Sequence, residues 1–271
     1  MKKTTYIMLG LLMAGLVCAV AFGIATVTFM EPYKELNLNG AKKAVRELPR
    51  FSYLVLRTKG YIDYFEPFER AVVRESDSVT APVLTAPADI ISSYVCETKG
   101  DTLNLVFDYD ILIKDAPKDG PRRPKGVYIG EEGVMEITVP RGMMRGVKSK
   151  VGPLRIKDFR ASFLKTEVNN RVSLTGCQLD TFRCTSGSIE RLEIYDSSID
   201  FASIRQPRNH LKVETFGDNC FITRMEVSGD RRNNSQINLP EARVGSLDWV
   251  PTDSAARLEV TLSSPASITM R

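Results

Sequence analysis

The chain has 271 residues, 43% of them hydrophobic and 26% charged, with a formal net charge of +4. That apolar content excludes a disordered chain, and so mild a positive balance gives no reason to expect a nucleic-acid partner. With about 30 residues set aside at the N-terminus, the remainder is long enough to bury a substantial core.

Residues 1–30 read as a membrane segment. Lys2 and Lys3 precede an uncharged run from Thr4 to Met30. The stretch Tyr6 to Met30 would make a helix of roughly 37 Å, enough for a hydrocarbon core of about 30 Å. Lysines ahead of the run keep the N-terminus cytoplasmic and send the rest across. The expectation is a single-pass transmembrane helix that makes the membrane a partner. The alternative is a signal peptide cut after Ala19-Val-Ala21, leaving a secreted or periplasmic protein. Residues 31–50 read as a polar juxtamembrane spacer with a short helix around Ala41–Leu48. Residues 51–271 read as one β-rich, solenoid-like extracytoplasmic domain.

Phe51 to Arg57 alternates as a strand, and Tyr61-Ile-Asp-Tyr64-Phe65 continues it as far as Pro67. Thr102 to Phe107 alternates again after the turn Lys99-Gly100-Asp101, where glycine can take a positive φ. Asp115 to Lys125, rich in proline and charge, reads as an exposed loop. Val134 to Val139 is a further strand closed by Pro140.

From about Gly152 the pattern becomes a repeat. Leu154/Ile156, Val172/Leu174, Leu192/Ile194 and Leu211/Val213 are apolar pairs at i and i+2, so both members face the same side of a strand. The second members recur after 18, 20 and 19 residues. Leu179 and Cys184 follow Leu174, Ile199 and Ile204 follow Ile194, and Cys220 and Met225 look like a later copy. One such coil cannot bury its own inner face, whereas a stack of them can. The expected fold is therefore mostly β, a solenoid (β-helix-like) stack of short strands, with an antiparallel sandwich as the competing arrangement. Ile237-Asn-Leu239, Val244 to Trp249, Leu258 to Leu262 and Ile268-Thr-Met270 continue the coils.

Several short motifs carry a family likeness. Thr85-Ala-Pro87 with Ile90-Ile91, Lys99-Gly-Asp-Thr-Leu103-Asn-Leu105 and Met135-Glu-Ile137-Thr-Val139-Pro140, followed by short repeated strands, resemble the GIN domain family (DUF2807, an autotransporter adhesin head domain). The likeness covers Phe51 to Val227. Ser-Gly steps, frequent in that family, are sparse here, a departure that fits a divergent member or a look-alike. The resemblance implies an exported, β-rich, solenoid-like domain with no established enzymatic activity and transfers no catalytic residue.

Of the five cysteines, Cys184 and Cys220 fall at inward repeat positions and read as core residues rather than bridges, although Cys96, Cys177, Cys184 and Cys220 could pair outside the cytoplasm. There is a single histidine, His210, so imidazole-based triads and metal sites lack material, and no cofactor is expected. The segment Arg141 to Lys157 carries Arg141, Arg145, Lys148, Lys150, Arg155 and Lys157 with no acidic residue. It reads as a solvated rim or as a patch for anionic sugar or lipid headgroups. Asp180 and Asp200, 20 apart, would stack on neighbouring coils, as carboxylates do in β-helical enzymes that cleave acidic polysaccharide. The leading expectation is a non-catalytic cell-envelope protein for adhesion or scaffolding, partnered by an envelope protein or polysaccharide. A carbohydrate-active enzyme is the alternative.

Overall fold

The computed structural model describes residues 2–29, 34–38, 40–60, 67–68, 71–114, 124–128, 135–149, 151–185, 189–205, 211–217, 219–229, 234–239, 242–262 and 265–270. In chain order these form α1 (Lys2–Phe29), β1 (Lys34–Asn37), β2 (Lys43–Glu47), β3 (Tyr53–Lys59), β4 (Ala71–Ser76), β5 (Val83–Pro87), β6 (Tyr94–Lys99), β7 (Thr102–Asp108) and α2 (Tyr109–Lys114). There follow β8 (Pro124–Tyr128), β9 (Glu136–Pro140), β10 (Gly146–Ser149), β11 (Leu154–Lys157), β12 (Arg160–Val168), β13 (Asn170–Thr175), β14 (Gln178–Thr185) and β15 (Ile189–Tyr195). The last are β16 (Ser198–Arg205), β17 (Leu211–Phe216), β18 (Cys220–Gly229), β19 (Asn234–Leu239), β20 (Ala242–Pro251), β21 (Arg257–Leu262) and β22 (Ser267–Met270).

From β10 onward successive strands alternate between two 10-stranded sheets. Sheet I holds β10, β12, β14, β16, β18, β20 and β22, and sheet II holds β11, β13, β15, β17, β19 and β21. Every pairing among these strands is parallel, as a coiled path requires. The expected solenoid is therefore the fold. The inward residues of both sheets, among them Ile156, Leu164, Leu174, Phe182, Ile194, Ala202 and Met225, form one continuous core. No strand buries much alone; each inner face is covered by the opposite sheet and by the strands above and below.

The register corrects the repeat at its fourth coil. Leu154, Val172, Leu192, Val213, Ile237 and Val260 form one inward column. Ile156, Leu174, Ile194, Thr215, Leu239 and Leu262 form the next. Val213 thus stacks on Leu192 and not on Ile194, whose place is continued by buried Thr215. The same two-residue offset appears in sheet I, where Ile222 and Val227, not Cys220 and Met225, continue Ile199 and Ile204. A slip of two keeps the same side chains inward, so the apolar pattern tolerates either alignment.

The N-terminal half is less regular. β3 and β4 sit in the stack between β10/β11 and β7/β9, although they precede all of these in the chain. At that end each sheet finishes in antiparallel strands: β6 on β7 in sheet I, and β5 on β9 with β2 on β5 in sheet II. Residues 43–47, expected within a helical spacer, are instead the strand β2. Its Arg46 guanidinium donates to the Tyr94 carbonyl and ties the strand to the domain. Phe68, Tyr94, Phe107 and Tyr109 fill the space beneath in an edge-to-face chain with centroids 4.9–5.7 Å apart. The Tyr94 hydroxyl donates to the Pro67 carbonyl at 2.7 Å, which satisfies the polar end of a fully buried ring.

Lys2–Phe29 does form a helix, α1, but the membrane crossing expected of the Thr4–Met30 run is not shown. Among the described residues no helix is long and apolar enough to cross a membrane. Met8, Leu12, Met13, Leu16, Val17, Val20, Phe22 and Ile24 of α1 are all exposed.

Candidate functional site

The outward residues of sheet II also run in columns. Arg74, Lys157, Thr175, Tyr195 and Phe216 occupy one, Arg155, Ser173, Glu193 and Glu214 the next, and Arg171, Arg191 and Lys212 the third. Tyr195 and Phe216 stack with centroids 4.7 Å apart and ring planes 14° from parallel. In the cation column, Arg171 and Arg191 lie 3.7 and 3.5 Å from Glu193. Arg191 also reaches Glu214 at 3.5 Å, and Lys212 meets Glu214 at 2.7 Å. The Tyr195 hydroxyl donates to Glu193 at 3.3 Å. Partial burial, then the neighbouring Glu193 charge, raises the Tyr195 phenol above its usual range.

At the β11 end of these columns the balance breaks. A groove of about 550 Å³ opens between β11, β13 and β15, lined by Arg155, Lys157, Asn170, Arg171, Ser173 and Tyr195 among others. Among the described residues no ion pair holds Arg155 or Lys157, whereas Arg74 beside them is taken by Asp158 at 3.3 Å and Glu136 at 3.5 Å. Among the described residues Glu193 is the one carboxylate lining the groove, and it is already shared by two arginines.

The six basic residues expected as one patch are divided by the fold. Arg141 sits in the turn after β9, 2.5 Å from Asp77. Arg145 is exposed just ahead of β10, with its backbone bonded to Ser52 and Lys165. Lys148 points out from sheet I and pairs with Glu167 at 2.8 Å. Lys150 lies outside the described residues. Of the five that are described, only Arg155 and Lys157 stand together, on sheet II. The linear run hid this, because consecutive strands of a coil belong to opposite sheets. Arg171, Glu193 and Tyr195 were missed as partners. The clue was the odd position after each inward residue, which points outward and aligns from coil to coil.

The aspartates divide similarly. Asp180 and Asp200 are exposed on adjoining coils beside Arg160, around a shallower groove of about 420 Å³. Asp158 and Asp196 instead occupy the corner after the sheet II strands, with φ of 61° and 43°. His210 and the Tyr61–Phe65 segment lie outside the described residues. Among the described residues no group of three or more His, Cys, Asp or Glu could hold a metal. All five cysteines are free, and Cys177, Cys184 and Cys220 are buried. The Cys177 thiol donates weakly to the Ile156 and Thr175 carbonyls, and burial pushes both Cys177 and Cys184 up to about 11. Such thiols are core packing, not nucleophiles.

Fold and site together define a two-sheet parallel β-solenoid that presents an acid-poor basic groove on one outer face. No protein-family model matches the chain, and no curated protein matches it. It is similar to the crystal structure of a "putative adhesin" from Bacteroides fragilis, at 15% identity and a TM-score of 0.49, covering 87% of this chain and 100% of that one. It is also similar to a "putative adhesin" from Parabacteroides distasonis, at 9% identity and a TM-score of 0.37 over 88% and 100% of the two chains. A "putative lipid binding protein" from the same species gives 13% and 0.35 over 87% and 99%. Likenesses this weak establish neither a shared role nor membership of the GIN domain family.

Proposed function

We propose that this chain is a non-catalytic module of the cell envelope, whose solenoid stands outside the cytoplasm and binds a surface partner, either a protein or a polysaccharide. The observation that carries this reading is the groove of sheet II, where Arg155 and Lys157 face solvent without a partner among the described residues. Elsewhere on the same face successive coils match cation to carboxylate, so two unmatched cations mark a place kept for an incoming anion. The α1 helix is the export signal in this reading. Its lysines at Lys2 and Lys3 and its exposed apolar side chains support that role. The test is protease treatment of spheroplasts, whose outer membrane is opened while the cytoplasmic membrane stays sealed, together with a blot of the full-length chain. Digestion of the domain from outside is expected, and a domain reached only after lysis overturns the reading. A band shorter by about 2 kDa, taking roughly 110 Da per residue, indicates cleavage of the leader.

A second reading, a β-helical enzyme acting on acidic polysaccharide, draws on Asp180 and Asp200 on adjoining coils. Neighbouring strands lie about 4.8 Å apart, close to the carboxylate separation of about 5 Å used by retaining glycosidases. New reducing ends released from polygalacturonate, and abolished in the Asp180→Asn/Asp200→Asn variant, would replace the leading reading with this one.

A further inference from the structure

We infer that the groove between β11, β13 and β15 is a binding site for the carboxylate of an acidic polysaccharide, with Arg155 and Lys157 as the anion-holding pair. This rests on the surface-interaction reading above and names its ligand class. Arg155 and Lys157 are alternate residues of β11, so both project from the outer face while Leu154 and Ile156, which alternate with them, are buried. An arginine fork can take a carboxylate through two parallel hydrogen bonds, and a nearby ammonium adds a mobile point charge.

The rest of the lining suits a sugar rather than a bare ion. Asn170, Ser173, Thr175 and Tyr195 add an amide and three hydroxyls around the two cations. Glu193 is an acceptor of the kind a sugar hydroxyl could use, and Arg171 beside it is half-neutralised already. The volume, about 550 Å³, falls within the roughly 300–1,000 Å³ usual for small-molecule sites. The columns give the chain a direction. Lys157, Thr175 and Tyr195 succeed one another along the stack, one strand spacing of about 4.8 Å at a time, so an extended polymer lies along the solenoid axis and crosses the strands. Toward β17 the cations are matched by Glu193 and Glu214, which confines the strongest anion contact to the β11 end. A membrane surface is a poorer fit, because the basic residues that would reinforce contact with lipid, Arg141 and Lys148, are paired off or point from the opposite sheet.

The experiment is native affinity electrophoresis of the full chain, in non-ionic detergent, through gels containing polygalacturonate or neutral dextran, with flotation on phosphatidylglycerol vesicles in parallel. Retardation by polygalacturonate but not by dextran is expected, weakening at about 1 M salt, where screening is felt over only about 3 Å. The Arg155→Ala/Lys157→Ala variant should lose at least about tenfold in affinity with an unchanged circular dichroism spectrum. The Arg141→Ala/Lys148→Ala variant, which removes equal charge elsewhere, should bind as the parent does. Equal losses in both variants, undiminished binding without Arg155 and Lys157, no retardation at all, or attachment to vesicles alone would each overturn the groove assignment. None of these would decide whether the domain stands outside the cell, which the protease experiment reads separately. Release of reducing ends during the same incubation would overturn the non-catalytic reading while leaving the binding result standing.

Discussion

The Asp196 carboxylate Oδ1 lies 2.6 Å from the point that a β-carbon on Gly217 would occupy. The two residues hold the same corner on adjoining coils, following the paired residues Tyr195 and Phe216. Two coils further toward the N-terminus the arrangement recurs, with Asp158 Oδ1 2.9 Å from the corresponding point over Gly176. All four residues have positive φ, from 43° to 87°. At these four corners the chain turns through the left-handed region, which glycine does freely and aspartate more readily than most residues. A carboxylate in one coil then occupies the space that only a glycine in the next leaves open, so aspartate and glycine alternate.

Gly217→Ala is expected to destabilise the domain by about 1–2 kcal/mol, mainly through the left-handed backbone. Asp196 is exposed, and its carboxylate can swing into solvent. Replacing it with glycine should therefore recover only part of that loss. Urea midpoints of the two single variants and the double variant measure the coupling. Additive effects would mean that the two positions do not share the corner.

Glu75 ties together segments far apart in the chain. It is buried, and its two carboxylate oxygens accept the Gly142 and Arg160 backbone N–H groups, each at 2.6 Å. Glu75→Ala leaves both donors without their partner, at about 1–3 kcal/mol for each. Glu75→Gln keeps one acceptor and turns the other into a donor facing a donor, so it should rescue little. Thermal unfolding should show both variants well below the parent.

On sheet I, Arg224 donates to Asp248 Oδ2 from Nε at 3.0 Å and from Nη2 at 2.7 Å, while its guanidinium lies 5.4 Å from the Phe201 ring centre. Asp248 is almost fully enclosed and Arg224 is partly open to solvent. Arg224→Ala is expected to cost about 1–3 kcal/mol, because it strips a buried carboxylate of its main counter-charge. Arg224→Lys keeps the charge without the fork or the flat stacking surface and should fall between. Denaturant unfolding of both variants checks the order.

Alkaline pH should weaken the domain. Burial raises the Cys177 and Cys184 thiols from 9.0 to about 11, and burial also holds the Tyr94 hydroxyl well above its usual 10.0. Folded values above the unfolded ones give a contribution that is complete below pH 9 and is lost as pH rises toward 11. Near pH 10 each thiol can contribute a slope of up to about 1.4 kcal/mol per pH unit. Unfolding midpoints between pH 8 and 11 should fall in the parent and fall less in Cys184→Ala. A flat profile over that window would show that neither thiol is buried in solution.

Much of this protein was written in its one-dimensional pattern. Apolar pairs at i and i+2, returning about every 20 residues from Leu154 onward, suffice to specify strands, an inward face and a stack, because side-chain parity along a strand is a local property. The inward cysteines Cys184 and Cys220 were legible for the same reason. Three things were decided only in three dimensions. Thr215, not Val213, continues the Ile194 column, because a shift of two residues preserves parity and only the lengths of the connecting turns select between the alignments. β3 and β4 slip between strands that follow them in the chain, because the order of coils in a stack is set by which faces complete the core and not by the order of synthesis. Finally, Lys148 and Arg155, seven positions apart, point from different sheets, so a continuous run of basic residues became one small groove on one face and several unrelated surface charges.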